Sequence, residues 1–384
     1  MKLGIIGFGG RAQGVLKLIR EIDDSVELMA VCDIKDDDSL KEAFSKSGLR
    51  SDIPIYKDAS LMLEQYEFDG ILVGTRCSLH TEMALKVMGK GIPMYLEKPV
   101  ATNLFDLKRL EKAYEDYKGS IIVSFPLKTS PMVGLAAKLI KEGKIGKITQ
   151  IQAWNNVPYG GVYYHSWYRD ENETGGLFLQ KATHDFDYIN FLAGAGPVRI
   201  CAMTSKVIYK GNKKAGLLCK ECNENRSCPE SPYVLEKKSG QPVMGEYCCF
   251  AADTGNEDSG SAIIEYDSGI HACYTQNFIA RKKAGSRGAR LIGYEGTMEF
   301  DWYTNKLKIY SHTSDIDATY DFDVSKNSHF GGDMILAENF IEVMKKSAAS
   351  VSGLGDGLLS SRMCIAAGVS AREGKFVDIS SLTL

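Results

Sequence analysis

The run Gly7-Phe8-Gly9-Gly10-Arg11-Ala12 leaves the first part of this chain few folds to adopt. It follows the apolar segment KLGIIG and opens residues 11–22, where Val15, Leu16, Leu18 and Ile19 recur at helical spacing. Strand, glycine turn and helix in that order form the G-x-G-x-x-A dinucleotide fingerprint. The first glycine allows the tight turn. The second lets backbone approach a pyrophosphate, and the small third residue keeps the helix close to the strand. The anion then rests on the helix N-terminus, where unpaired N–H groups and the dipole favour it. Asp33 ends a second apolar run, VELMAVCD, about 20 residues further on. A carboxylate there accepts ribose hydroxyls and repels a 2′-phosphate, so the expected cofactor is NAD rather than NADP.

Strand-like and helix-like segments then alternate as far as residue 120. KEAFSKSG, HTEMALKVMGKG and NLFDLKRLEKAYEDYKG read as helices, FDGILVGT and IPMYLEKP as strands. That alternation predicts right-handed βαβ units and a parallel, doubly wound α/β sheet. After IIVSF and one more helix the pattern changes. ITQIQAW, PVRICAMTSKVIY, GSAIIEYDSGIHACYTQNF, ARLIGYEGTMEF and KLKIYSH predict a large, mostly antiparallel open sheet, with turns at Asp267-Ser268-Gly269 and Tyr294-Glu295-Gly296. Two terminal helices are expected over 333–346 and 356–371. The division is therefore a Rossmann domain over 1–120 and a second α/β domain over 121–384, with a cysteine-rich insert at about 210–258.

A net charge of −3 argues against non-specific nucleic-acid binding, which requires a basic surface. No apolar run approaches the roughly 20 residues of a membrane span. The glycine-rich N-terminus lacks the apolar core of a signal peptide, and the expected location is the cytoplasm. Five of the ten cysteines crowd into residues 219–249. In a reducing compartment such a cluster reads as metal-binding before it reads as crosslinks.

Two segments carry candidate chemistry. Glu97-Lys98-Pro99 ends a strand, and strand ends of a doubly wound sheet face the ligand crevice. Lys98 is either a hydroxyl- and cofactor-contacting lysine or a solvated one. In QKATHDFDYINF, Thr183 is a plausible N-cap, which puts His184 at the first helical position, where the dipole favours a neutral, proton-accepting imidazole. Asp187 lies three residues on, on the same helix face, and is suited to orienting that ring. His80 opens a helix near the expected cofactor.

These pieces resemble the Gfo/Idh/MocA oxidoreductases, the group of glucose–fructose oxidoreductase and the inositol dehydrogenases. The resemblance rests on GFGGRA with Asp33, GTRCSLHTEMA at 74–84, LEKP at 96–99 and GG…THDFD at 175–187. It extends through KEGKIGKITQIQAW to the C-terminal helices. It implies NAD(P)-dependent oxidation or reduction of a sugar or polyol hydroxyl, with Lys98 and His184 catalytic. Thr75, Arg76, His80 and Glu97 then join the cofactor site. Tyr164, Trp167, Tyr168 and Arg169, with Gln180 and Lys181, face the substrate. It also implies a homo-oligomer, dimer or tetramer, through the C-terminal sheet. One position departs. Many members carry an aspartate four residues before the histidine, and here that residue is Gln180. An amide cannot act as a base, so proton transfer shifts to His184 supported by Asp187, or to Lys98. Transient oxidation in an NAD-dependent glycosidase, and a non-catalytic NAD sensor, remain the alternatives.

Cys219, Cys222 and Cys228, with Cys248 or Cys249 as a fourth, offer the all-sulfur ligand set that suits structural zinc. An iron–sulfur centre fits the same ligand count. The expected role is to staple an otherwise coreless loop.

Overall fold

The computed structural model describes all residues except 118, 240–244, 316, 324–327 and 383–384. Part of the insert, 240–244, therefore lies outside the described residues. Two compact units emerge. The first comprises Met1–Gly134 and Val324–Arg362, and the second Leu135–Asp323 and Met363–Thr383.

The first unit holds six parallel strands: β1 (Lys2–Ile6), β2 (Glu27–Cys32), β3 (Ile55–Tyr56), β4 (Gly70–Val73), β5 (Met94–Leu96) and β6 (Ile121–Val123). Their order is β3-β2-β1-β4-β5-β6. The order reverses between β1 and β4, and that switch point is where doubly wound sheets bind ligands. The helix Gly10–Ile22 buries Ala12, Val15, Leu16 and Ile19. Those side chains share one core with Leu3 and Ile5 of β1 and with Leu336, Phe340 and Met344 of the helix Gly332–Met344. A late helix thus completes an early core. At Gly70 a Cβ would meet Met344 Sδ at 2.5 Å, so any larger residue there would displace the Met344 side chain.

The second unit is built on nine strands: β7 (Ile148–Asn156), β8 (Pro197–Ser205), β9 (Ser259–Tyr266), β10 (His271–Asn277), β11 (Ser286–Gly293), β12 (Gly296–Asp301), β13 (Lys306–Ser311), β14 (Asp317–Asp321) and β15 (Val377–Asp378). The order is β14-β13-β12-β11-β7-β10-β9-β8-β15. Only the β7–β10 pair is parallel among the described ladders. Burial alternates along β9 and β10, the mark of a sheet covered on one face. On the uncovered face Met203 is 75% exposed and Ile263 48%.

β8 stops at Ser205 rather than running to Tyr209. The backbone N–H groups of Val207, Ile208 and Tyr209 all donate to the Asp258 carboxylate instead of a neighbouring strand. The insert that follows is not coreless. Tyr209 and Cys249 pack with Val157, Tyr163, Tyr164, Leu177 and Phe278. It also carries its own helix, Pro232–Ser239. No helix among the described residues is long and apolar enough to cross a membrane.

Candidate functional site

In the first unit the glycine turn has the geometry its sequence demands. Gly7 adopts φ +87°, and a Cβ there would lie 2.6 Å from the Thr75 backbone nitrogen. Only glycine fits. A Cβ on Gly9 would meet nothing closer than 3.8 Å, and one on Gly10 nothing within 4 Å, so the loop backbone stands open at the helix N-terminus. Ala12 and Gly74 are mutually small: a Cβ on Gly74 would sit 3.0 Å from Ala12 Cβ. These features fit a dinucleotide pyrophosphate.

Asp33 follows β2 as expected, and it also ties the loop together. Its Oδ2 accepts the Phe8 N–H at 2.7 Å, and Oδ1 accepts the Lys35 N–H at 2.9 Å. A carboxylate has about four lone-pair positions, so ribose hydroxyls still find acceptors. The Phe8 side chain does not face a ligand. It is fully buried, edge-on to Phe44 at 5.1 Å.

Arg11 is the busiest residue of the turn. Its Nε donates to Glu97 Oε1 at 2.8 Å, and its two terminal nitrogens reach Asp333 Oδ2 at 2.7 Å and Oδ1 at 2.5 Å. It also donates to Ser124 Oγ at 2.9 Å. The guanidinium therefore joins the glycine turn, the end of β5, the end of β6 and the helix Gly332–Met344. Burial opposes charge on Asp333. Hydrogen bonds from Arg11 and His329 outweigh that and hold its carboxyl well below the usual range. His80 is buried beside the same strand end. Its Nδ1 lies 2.7 Å from the Pro99 carbonyl and its Nε2 3.1 Å from the Thr75 carbonyl. Burial lowers its pKa, and the backbone contacts and Glu97 oppose that only in part. Glu97 and Pro99 are thus both anchored, and the half-buried Lys98 between them leaves from a fixed backbone.

In the second unit the histidine helix differs from its sequence reading. The segment Phe178–Ala182 is already helical, as a π-turn, and runs without a break into Thr183–Ala193. Thr183 Oγ1 donates back to the Leu179 carbonyl at 2.9 Å, the bond of a residue inside a continuous helix. His184 therefore does not sit at an open helix N-terminus, and the dipole argument for its neutrality lapses. His184 and Asp187 are both buried on this helix. Between them in the chain, Asp185 carries a network that no local pattern announces. Its carboxylate accepts from Arg287 Nε at 2.8 Å, Tyr274 Oη at 2.8 Å and Asn155 Nδ2 at 3.0 Å. Gln180 and Lys181 lie in the π-turn, both buried. Lys181 Nζ donates to Tyr159 Oη at 2.8 Å.

The aromatic run divides. Tyr164 is fully buried, donates to the Glu257 carbonyl at 2.7 Å and lies against Tyr209, with ring centroids 4.1 Å apart. Arg169 is buried too. It reaches Asp253 at 2.7 Å and Thr254 Oγ1 at 2.8 Å, and it lies over the Tyr247 ring. The Tyr164 hydroxyl and one terminal nitrogen of Arg169 thus both bond residues 253–257, at the end of the insert. Trp167 stacks on Tyr168 with centroids 3.9 Å apart.

Cys219, Cys222, Cys228 and Cys248 are free thiols that share one neighbourhood. Burial, then the Cys248, Cys228 and Cys222 sulfurs, push the Cys219 thiol up to about 12. Among the described residues no group of three or more His, Cys, Asp or Glu is arranged to hold a metal ion.

Residues 133–299 match the GFO/IDH/MocA C-terminal domain. Residues 1–125 match an oxidoreductase family with an NAD-binding Rossmann fold. The chain is 24% identical over 309 residues to the YteT protein of Bacillus subtilis (strain 168), a match spanning 71% of each. It is 25% identical over 218 residues to the myo-inositol 2-dehydrogenase of Thermotoga maritima, spanning 56% of this chain and 62% of that protein. A solved structure of levoglucosan dehydrogenase, in complex with NADH and levoglucosan, superposes over 100% of both chains with a TM-score of 0.77 at 16% identity, a likeness of fold. Glycine turn, strand order and both domain matches agree: the chain belongs to the GFO/IDH/MocA oxidoreductase family.

Proposed function

We propose that the protein is an NAD-dependent dehydrogenase of a sugar or polyol hydroxyl. The observation that carries this reading is the anchoring of Glu97 and Pro99 on either side of Lys98, at the C-terminal end of β5. A lysine aimed by fixed backbone suits contact with a hydroxyl oxygen. Gly7, Gly9, Gly10 and Ala12 would hold the pyrophosphate and Asp33 the ribose, with Thr75, Arg76 and His80 framing the same strand ends. NAD+, when bound, supplies the hydride acceptor. Lys98 holds the substrate oxygen and favours its deprotonated form. For proton transfer the second unit offers His184 and Asp187, three residues apart on one helix.

The test is a panel of inositols, hexoses and anhydrosugars, followed by absorbance of the reduced nicotinamide. We expect steady accumulation with NAD+ and at least tenfold slower accumulation with NADP+, since repulsion between Asp33 and a 2′-phosphate of about 1.4 kcal/mol already gives tenfold. No accumulation with any member would overturn the reading.

We further propose a zinc ion on Cys219, Cys222, Cys228 and Cys248. Paired backbone supports it: the Cys219 N–H donates to the Glu246 carbonyl at 2.7 Å and the Cys248 N–H to the Leu217 carbonyl at 2.9 Å, which brings the two cysteine-bearing segments side by side. Four thiolates suit a tetrahedral, redox-inert ion. Elemental analysis of freshly purified, reduced protein should find about one zinc per chain. Metal-free protein with an intact fold would end the proposal.

A further inference from the structure

The helical run that carries His184 begins without a cap of its own. Gly175 and Gly176 adopt φ values of 73° and 90°, which turn the chain after the short helix Glu171–Thr174 but place no side chain at the start of the next one. The π-turn Phe178–Ala182 follows and runs into Thr183–Ala193, and Leu177 before it has no polar side-chain atom to offer. The first N–H groups of a helix need acceptors from outside it. Here the acceptor lies 80 positions further along the chain. Glu257 Oε2 accepts the Leu177 N–H at 3.2 Å, and Oε1 accepts the Phe178 N–H at 3.0 Å. The helix dipole also favours a carboxylate at that end.

Glu257 stands near the end of the cysteine-bearing insert, and the chain around it is clamped. From Cys248 the backbone winds through two turns: the Ala251 N–H donates to the Cys248 carbonyl at 3.1 Å, and the Thr254 N–H to the Ala251 carbonyl at 3.0 Å. Asn256 Nδ2 donates to the Tyr163 and Tyr168 carbonyls at 2.9 and 2.8 Å. Tyr164 Oη holds the Glu257 carbonyl, and the Asp258 carboxylate gathers the N–H groups that follow β8. Backbone on both sides of Glu257 is thereby fixed, and every one of these contacts lies within the second unit.

We propose that Glu257 is a positioning residue: through its carboxylate the cysteine-bearing insert holds the start of the helical run that carries His184 and Asp187. The inference rests on the dehydrogenase reading and gives the insert a part in it. Two N–H bonds fix the first turn, and the wider π-turn passes that register on to His184. Such turns are frequent at functional sites. Burial works against charge on Glu257, the N–H bonds offset it only in part, and Glu171 adds repulsion, so the carboxyl is raised above its ordinary value. Lys206 and Tyr164 are the other titratable groups that feel its charge. A charge that its surroundings disfavour adds little to the stability of the whole fold, so its removal should register locally.

The experiment compares wild type, E257A and E257Q by hydrogen–deuterium exchange, thermal melting and steady-state kinetics on the best substrate of the panel. In E257A the amides of residues 177–184 should lose protection, with the rest of the chain and the melting temperature little changed. There kcat should fall about 10–10²-fold, the scale on which small misplacements act, with KM for NAD+ unchanged. E257Q keeps one acceptor oxygen and should recover part of both the protection and kcat. Wild-type kcat in E257A would overturn the proposal. So would a loss of kcat matched by faster exchange across the whole chain, the mark of a structural role alone. Lost protection confined to 177–184, in a protein whose wild type turns over no member of the panel, would uphold the grip of the insert on the helix and overturn the dehydrogenase reading instead.

Discussion

Replacing Lys98 with alanine is expected to reduce turnover by about 10²–10³-fold, the usual cost of removing one preorganised donor from a developing oxyanion. That corresponds to about 2.7–4 kcal/mol of transition-state stabilisation. The effect should fall on kcat. Lys98 is held ready before substrate arrives, since Arg11 fixes Glu97 on one side and His80 contacts the Pro99 carbonyl on the other. The glycine turn and Asp33 are untouched, so NAD+ affinity, measured by quenching of protein fluorescence, should change little. Lys98→Arg should recover only part of the rate, because a planar guanidinium does not replace a compact ammonium. Wild-type turnover in the alanine variant would remove Lys98 from the chemistry.

Arg11→Met should destabilise the first unit by about 3 kcal/mol at neutral pH, the lower end of the cost of breaking a buried ion pair. The Arg11 side chain is about a quarter exposed, while those of Asp333 and Glu97 are 1% and 9% exposed. The substitution removes the shared cation from two buried carboxylates and leaves Asp333 only His329 as a charged-group partner among those described. The pH dependence follows from the direction of the Asp333 shift. Its folded pKa lies below the unfolded value, so its contribution is present above roughly pH 4 and is lost as pH falls further. In the variant Asp333 loses its guanidinium partner and takes up a proton more readily. The gap between wild type and variant, measured by urea unfolding, should therefore narrow on acidification from neutrality. A constant gap would mean that Arg11 acts through packing alone.

The parts of this fold that could be read from the sequence are those fixed by neighbours in the chain. Gly7, Gly9, Ala12 and Asp33 lie within one βαβ unit, and their spacing alone specifies the turn. Strands β7 to β13 of the second unit are equally legible, whereas the short edge strands β14 and β15 carry no such signal. What escaped is long-range. Nothing near residue 332 announces that its helix joins the core of β1, because that packing pairs residues more than 300 apart. Asp185 and Arg287 are separated by 102 positions, and each alone resembles an ordinary surface charge. Arg169 stands beside an aromatic run in the chain, and its partners Asp253 and Thr254 lie 84 and 85 positions on, across the insert. The π-turn hid for a local reason. Thr183 followed by Asp185 has the composition of a helix start, and no residue marks a helix that is already wound on a wider pitch.

The return of residues 324–362 to the first unit has a consequence for how the molecule is made. The ribosome releases β1 and the glycine turn first, but Leu336, Phe340 and Met344 of the same core follow a stretch of 189 residues, 135–323. At roughly 5–20 residues per second, that interval is on the order of 10–40 s. Throughout it the nascent nucleotide-binding half exposes an unfilled apolar groove, lined by Gly70 and Ile19 among others. Most of the second unit, residues 135–323, is made while the first still waits for its last helix, and its own residues 363–383 follow only afterwards. Chaperone demand should therefore concentrate on the part of the chain that was synthesised earliest.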